Sequence, residues 1–392
     1  MNDASTARSI NCICSLLRGE SQPFQGHQPD QTAEAFMRLA RAHGVTTLLD
    51  ERLSMGDLGD AWPASIRADC HEDALGRAMQ ELAIRAELLR VLAALGAAGV
   101  RPLILKGTAL AYQVYPRPAL RMRGDTDLLV PDEVVATTAA VLDGFGYVRG
   151  PHSNGVIVSS QATWSRVDTL GVRHDLDVHW RINNSLVLSR EISYGELDGR
   201  AVPVLALGPD ARALALPDAL LFACMHRAGH VNTIYYSGDD VMIGGDRLIW
   251  FYDMHLLLQA MSVREQQEFL RLATAKRMRT VCADALRRTR DFFGTAIPPS
   301  VQSALDASTG LEPSARYLAG RRVNQVIGDL VAAPDWQFRL RWLHEFCFPA
   351  ADYMLAKYPQ ASIQWLPALY ARRAVEGVSK IFRSGGAGHP RF

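Results

Sequence analysis

The chain has 392 residues, 48% of them hydrophobic and 21% charged, a balance that excludes global disorder and suffices for two or three domains with a real core. Its 42 basic and 41 acidic side chains leave a formal net charge of +1, so a polyanion partner would need a local patch rather than an overall field. Six cysteines (Cys12, Cys14, Cys70, Cys224, Cys282 and Cys347) are scattered without CxxC spacing, which excludes a disulfide framework and fits a reducing cytosol.

The first residues, MNDASTARSINCICSLLRG, lack a continuous apolar stretch, so no secretory signal is expected. The richest apolar run, ALALPDALLFACMH, is broken by Pro217 and Asp218 and falls short of the roughly 20 residues a membrane span needs. A soluble, cytoplasmic protein is the expectation. Residues 32–53 carry apolar positions at helical spacing with a break at Gly44. Over 72–98, Leu75, Met79, Leu82, Ala86, Leu89 and Ala93 recur at intervals of four and three, one stripe along one face of a helix that Gly96 and Gly99 close.

RPLIL (101–105) then reads as a buried strand, KGTALAYQVYP as a short helix closed by Pro116 and Pro118, and TDLLV as a second strand. PDEVVATTAAVLDGFGY reads as a helix, and 161–181 as two antiparallel strands around a turn at Gly171. From Pro217 the pattern is helical: 217–230, 246–260, 264–276, 278–293 and further segments to about 383, before a Gly-rich tail, SGGAGHPRF. No internal repeat is visible. The order predicts an α+β fold, a small mixed sheet at 100–205 between an N-terminal helical region (1–99) and a C-terminal helical domain (206–392).

The chemistry concentrates in the two central strand segments. Residues two apart in a strand face the same way, so Asp125 and Asp127 in GDTDLLV project together. Asp175 and Asp177 in HDLDVHW repeat the arrangement, with His179 in phase. If the strands lie side by side, the carboxylates converge into the oxygen-rich, mutually repelling cluster that Mg²⁺ suits. Two such ions about 4 Å apart can clamp the attacking and leaving oxygens of a phosphoryl displacement. The alternative is a solvated or turn-capping pair, which spacing alone leaves open.

The string LKGTALAYQVYPRPALRMRGDTDLLV, an amphipathic helix ending GFGY, and then HDLDVHWRI resembles the family of uncharacterised bacterial nucleotidyltransferases, within the polymerase β-like superfamily. LARAHGVTTLLDERL upstream and LLFACMHRAGH and DRLIWFYDMHLLL downstream extend the likeness over about residues 35–260. The resemblance implies that Asp125 and Asp127 hold two Mg²⁺ ions. It implies that Asp177 is a third carboxylate that binds one metal and helps deprotonate the acceptor, with Asp175 the competing candidate. Lys106, Gly107 and Thr108 stand where the superfamily has a Gly-Ser turn that holds triphosphate. Gly107 permits close backbone approach, and Lys106 would supply a phosphate charge in place of the serine.

Arg121 and Arg123 flank the strand entrance, either as phosphate contacts and charge balance or as a surface pair neutralising nearby acids. The implied reaction moves a nucleoside monophosphate from an NTP, with ATP the expected donor, to a hydroxyl or amine of a small molecule, peptide or protein. Phosphoryl transfer, suggested by Lys106, and a non-catalytic nucleotide- or partner-binding scaffold are the alternatives.

His226 and His230, four apart on a helix, share a face, but Arg227 stands where a zincin motif needs Glu, so the pair reads as a cleft wall that is hydrogen-bonded internally or touches substrate. Arg247 is a further candidate for substrate contact. Asp253, six residues on, falls on a different face and reads as structural. Walker, Rossmann and nucleophile-elbow motifs are absent. The balanced charge disfavours long nucleic acid as a partner. YARRAVEGVSKIFR (370–383) reads first as the cap of a helical domain and second as an interfacial membrane helix.

Overall fold

Seven short strands form one mixed sheet: β1 (Leu103–Ile104), β2 (Thr126–Leu129), β3 (Val148–Arg149), β4 (Gln161–Val167), β5 (Arg173–His179), β6 (Val202–Pro203) and β7 (Arg212–Ala213). They lie in the order β3-β4-β5-β2-β1-β7-β6. β2 pairs in parallel with β5 and β1 with β7, while all other neighbours are antiparallel. This is a computed structural model, and it describes residues 3–20, 23–24, 29–55, 61–150, 157–231, 234–237, 240–243, 245–307, 312–320, 322–358 and 360–383. Helical segments stand on both sides of the sheet in sequence, the α+β arrangement expected. The sheet takes in residues as far as Ala213, and β8 (Ile234–Ser237) and β9 (Asp240–Ile243) form a separate hairpin.

The two faces of the sheet differ because the strands alternate. Ile104, Leu128, Trp164, Leu176 and Val178 point to one side and pack with Leu88, Val91, Leu92 and Leu95 of the helix Ala64–Ala97. On the other side, Leu103, Leu105 and Leu129 join the largest apolar cluster. That cluster draws on residues from Ile13 in the N-terminal helix to Leu318, so segments far apart in sequence share one core. Asp127, Asp177 and His179 lie on this second face, among the elements that surround the cavity described below.

The helix Ala64–Ala97 departs from its sequence pattern. Leu75, Met79 and Leu82, the middle of the apolar stripe, are each more than half exposed. The buried side at that level is charged: Glu81 accepts from Arg77 Nη2 at 2.7 Å, Arg123 Nη2 at 2.7 Å and the Tyr112 hydroxyl at 2.6 Å. Six residues on, buried Glu87 accepts from Arg166 and Arg90. The helix therefore docks its middle through ion pairs and its C-terminal third through Leu88, Val91, Leu92 and Leu95.

Helices Leu216–His230, Leu248–Ala260, Val263–Ala275 and Arg279–Phe293 follow the expected segments closely. The last helix, Leu366–Arg383, is present, with Arg372 on Glu376 at 2.9 Å and Arg373 donating to the Phe346 carbonyl at 2.8 Å. The latter contact fits its reading as a cap. The side chains of Lys380 and Arg383 and the tail SGGAGHPRF lie outside the described residues.

Candidate active site

The turn from β1 into the helix Lys106–Gln113 begins the site. Lys106 takes a left-handed backbone (φ +49°), unusual for a residue with a side chain and a place where strain is stored. Its ammonium lies 2.5 Å from Asp127 Oδ1. Gly107 follows, and a Cβ there would meet the Arg121 guanidinium carbon at 3.3 Å, so glycine lets that side chain lie against the backbone. Thr108 is buried, its hydroxyl 3.3 Å from the Asp125 carbonyl and 3.1 Å from Thr126 Oγ1, which ties the helix start to the entrance of β2.

β2 and β5 bring the carboxylates together. In their parallel register Asp127 stands opposite Asp177 and Leu129 opposite His179. Asp127 Oδ1 also lies 2.8 Å from His179 Nε2, and Asp177 accepts from the Thr163 hydroxyl on β4. Asp127, Asp177 and His179 each offer a ligand atom, and these atoms lie within 4.8 Å of one another. Asp125 stands outside that group of three but lines the same cavity.

The electrostatics show the crowding. Enclosure by the cavity walls, together with Asp127 and Asp177, pushes the Asp125 carboxyl up to about 6. Asp127 is also penalised by burial, but Lys106 and His179 outweigh that and hold it well below the usual carboxylate range. The cluster is thus compensated at one aspartate and short of positive charge at the other. Oxygen donors dominate it, as a hard divalent cation requires, with one imidazole nitrogen beside them. The residues fit such an ion.

The carboxylates open into a cavity of about 760 Å³. The sequence-predicted site residues line it except Thr108 and the competing candidate Asp175: Asp125, Asp127 and Asp177, then Lys106, Gly107, Arg121, Arg123, His226 and Arg247. Their roles divide. Arg121 gives Nε and Nη2 to the two oxygens of buried Asp253, both at 2.7 Å, and Arg123 gives Nη2 to Glu81, so both guanidinium groups have carboxylate partners away from the aspartate cluster.

Arg247 packs over Trp250 at 5.8 Å and donates to the Ala42 carbonyl at 3.2 Å. His226 and His230 do share a wall, their ring centroids 4.3 Å apart and Trp250 edge-on to His226 at 5.4 Å. Burial pushes His226 well below the ordinary imidazole value and His230 down to about 4, so both are neutral at pH 7. Asp175 is turned to other partners, accepting from Arg173 Nε at 2.8 Å and from the Ser165 hydroxyl at 2.5 Å, and it does not line the cavity.

Two features went unassigned in the sequence. His179 is in phase with Asp177, and that spacing was its only local signal. The C-terminal wall of the cavity, built from Tyr317, Gln325, Val326, Asp329, Trp342 and Phe346, gave none.

No curated protein matches the chain. The family model described as an uncharacterised nucleotidyltransferase, however, matches residues 29–294, a span that holds every strand of the sheet, the aspartates on β2 and β5 and the histidine wall. The chain belongs to that family of nucleotidyltransferase enzymes.

Proposed function

We propose that the protein transfers a nucleoside monophosphate from an NTP to a hydroxyl or amine on a small molecule or an extended chain end. Asp125, Asp127 and Asp177 would hold Mg²⁺, which when bound polarises the α-phosphoryl group and neutralises the leaving pyrophosphate. The acceptor oxygen or nitrogen bonds to the α-phosphorus, the bond from that phosphorus to the bridging oxygen breaks, and pyrophosphate departs. Asp177 takes the acceptor proton. Gly107, at the start of a helix, offers backbone N–H groups to the phosphates. The neutral rings of His226, His230 and Trp250 wall the cavity near Lys106 and Asp127, where they exclude water and bind flat, uncharged groups.

The observation that carries this reading is the placement of Asp127 opposite Asp177 on adjacent parallel strands, with Asp125 crowded beside them in one cavity. The size of that cavity, about 760 Å³, lies within the range of ordinary small-ligand pockets and supports an acceptor that enters it rather than a folded surface.

The test is thermal stability with Mg²⁺ and each NTP in turn, for wild type and for Asp125→Asn with Asp127→Asn. A ligand at a hundredfold excess over its dissociation constant stabilises by about 2.7 kcal/mol. A Mg²⁺-dependent rise with one or more NTPs, lost in the double variant, supports the reading and names the donor for an acceptor screen. No rise with any NTP would return the protein to a non-catalytic scaffold.

A further inference from the structure

The cavity has a wall that the transfer chemistry above does not use. Val326 and Asp329 on the helix Arg322–Ala332, Trp342 and Phe346 on Trp336–Cys347, Tyr317 on Pro313–Ala319, and Leu188 all line it. Trp342 and Phe346, four residues apart, stack with ring centroids 5.1 Å apart and planes 8° from parallel. Arg373 donates to the Phe346 carbonyl and lies 6.0 Å from its ring, which ties the stack to the last helix. All of these residues except Leu188 lie beyond 29–294, the span that matches the family.

One charge stands in this apolar and aromatic wall. Asp329 is buried, and its carboxylate accepts from the Ser185 hydroxyl at 2.9 Å, the Tyr317 hydroxyl at 2.8 Å and the Val187 N–H at 3.3 Å. All three donors are neutral, and no basic side chain meets the carboxylate among the described residues. The basic residues that line the cavity are committed elsewhere. Lys106 is on Asp127, Arg41 on Asp73, Arg121 on Asp253 and Arg123 on Glu81, while Arg247 packs over Trp250. Arg190, at the end of the short helix Leu186–Ser189, is exposed and donates to the Ala332 carbonyl. A buried carboxylate without an opposite charge carries a cost that neutral hydrogen bonds only partly offset. A ligand ammonium would complete it with a charge-assisted hydrogen bond, and aromatic rings in the same wall suit the same cation.

Ser185 also bounds the distance to the aspartates. It caps Leu186–Ser189 and follows His179 by six residues, a stretch that spans at most about 20 Å. Asp329, bonded to Ser185, is therefore close enough for one extended small molecule in the shared cavity to touch both it and the aspartate cluster.

We propose that Asp329 determines acceptor specificity, and that the acceptor is a cationic amino alcohol with a flat apolar body. This rests on the transfer reading above and narrows its acceptor to a hydroxyl. The ammonium sits on Asp329, the body lies against Trp342 and Val326, and the hydroxyl reaches the aspartates. An ammonium nitrogen has no lone pair to give. The hydroxyl oxygen therefore bonds to the α-phosphorus, its proton passes to Asp177, and pyrophosphate leaves.

The test is titration calorimetry of the full chain with tryptamine, cationic at pH 7, and with tryptophol, in which a neutral hydroxyl replaces the ammonium. Neither Mg²⁺ nor NTP is present. Failure here thus leaves the transfer reading standing, and failure of NTP to stabilise the protein leaves this subsite standing. The wild type is expected to bind tryptamine about tenfold more tightly than tryptophol. Asp329→Asn keeps an acceptor for Ser185 and Val187 and should bind the two probes alike, with a Tm close to wild type. Gln325→Lys, four residues before Asp329 on the same helix, sets an ammonium against the carboxylate and should also erase the preference while tryptophol still binds. Asp125→Asn with Asp127→Asn should keep the preference. Equal affinity of the wild type for both probes overturns the proposal, as does no binding of either at about 10 mM. A preference that survives in both Asp329→Asn and Gln325→Lys also overturns it. So does a preference lost only with Asp125 and Asp127, which would move the cation to the aspartate cluster.

Discussion

Lys106 Nζ stands 2.5 Å from Asp127 Oδ1, the oxygen that His179 Nε2 also reaches at 2.8 Å. Two nitrogen groups thus share one carboxylate oxygen of the cluster proposed to hold a metal, and Lys106 keeps its place despite a left-handed backbone. The lysine balances the buried charge, and a cation binding at Asp127 competes with it. Lys106→Met leaves the buried aspartate with His179 alone, a loss of about 3 kcal/mol by analogy with other broken buried pairs. The expected outcome is a lower Tm without Mg²⁺ and a larger Mg²⁺-induced rise than in wild type. If the variant's deficit is the same at every Mg²⁺ concentration, the ammonium and the ion do not share that carboxylate.

Arg121 and Asp253 tie the entrance of β2 to the helix Leu248–Ala260. Both guanidinium contacts are 2.7 Å, and the Tyr115 hydroxyl adds a third bond to the same carboxylate at 2.7 Å. Asp253→Ala strands a buried guanidinium and should cost about 3–5 kcal/mol, whereas Arg121→Met combined with Asp253→Leu should recover much of it because no charge is left unpaired. Urea unfolding midpoints decide. If the double variant falls as far as the single one, the pair contributes more than mutual compensation.

The sequence reading reached the aspartates because a strand's period of two makes GDTDLLV and HDLDVHW legible from local spacing alone. It did not reach the pairing. That Asp127 meets Asp177, and that Asp175 turns to Arg173 and Ser165, depends on the register between strands about 50 residues apart. β6 and β7, two residues each, are too short to carry any periodicity. Arg121 and Arg123 stood near the carboxylates in sequence, yet their partners Asp253 and Glu81 come from helices far along the chain in either direction. The C-terminal cavity wall stayed hidden for a related reason: the apolar arc of Trp336–Cys347 is wide, running from exposed Trp336 and Leu340 round to buried Trp342, so its pattern does not mark the part that faces the cavity.

The helix Ala64–Ala97 makes the inversion measurable. Leu82→Gln removes an exposed side chain and should change stability by no more than about 0.5 kcal/mol. Glu81→Ala leaves Arg77, Arg123 and the Tyr112 hydroxyl without their shared acceptor and should cost about 3–5 kcal/mol. A pattern-based reading predicts the reverse order. Equal effects from the two substitutions would mean that the stripe is covered in solution.

His43 gives the fold a pH dependence. Its Nδ1 accepts the Leu248 N–H at 3.2 Å, which joins the helix Pro29–His43 to Leu248–Ala260. Burial, and then the nearby Arg247, push its pKa from 6.5 down to about 4. Between those values the unfolded chain binds the proton and the folded chain does not. Stability is therefore full above pH 6.5 and is lost as pH falls towards 4, by about 3 kcal/mol at most from this residue. His230, also depressed to about 4, titrates over the same window. His43→Asn keeps an acceptor for the Leu248 N–H, so unfolding midpoints between pH 7 and 4.5 should fall less steeply in the variant. An unchanged slope would assign the acid sensitivity elsewhere.

Asp175 and Asp177 are separated by one residue on β5, share a face, and have opposite surroundings. Asp177 stands across from Asp127 and lines the cavity. Asp175 is bonded to Ser165 and to Arg173, whose side chain is 65% exposed, and those bonds outweigh burial and hold its carboxyl below the usual range. Groups one shell removed from a metal typically alter affinity by about 10–100-fold, so a direct ligand should exceed that. Asp177→Asn is therefore expected to weaken Mg²⁺-dependent nucleotide binding by about 100-fold or more, and Asp175→Asn by about threefold at most. The second substitution gives up only a surface ion pair worth about 0–1 kcal/mol. Titration calorimetry with NTP at saturating and at zero Mg²⁺ separates the two, because only loss of a ligand abolishes the difference between those conditions. If Asp175→Asn abolishes it and Asp177→Asn does not, the third carboxylate is Asp175, and β5 must shift its pairing with β2 when the nucleotide binds.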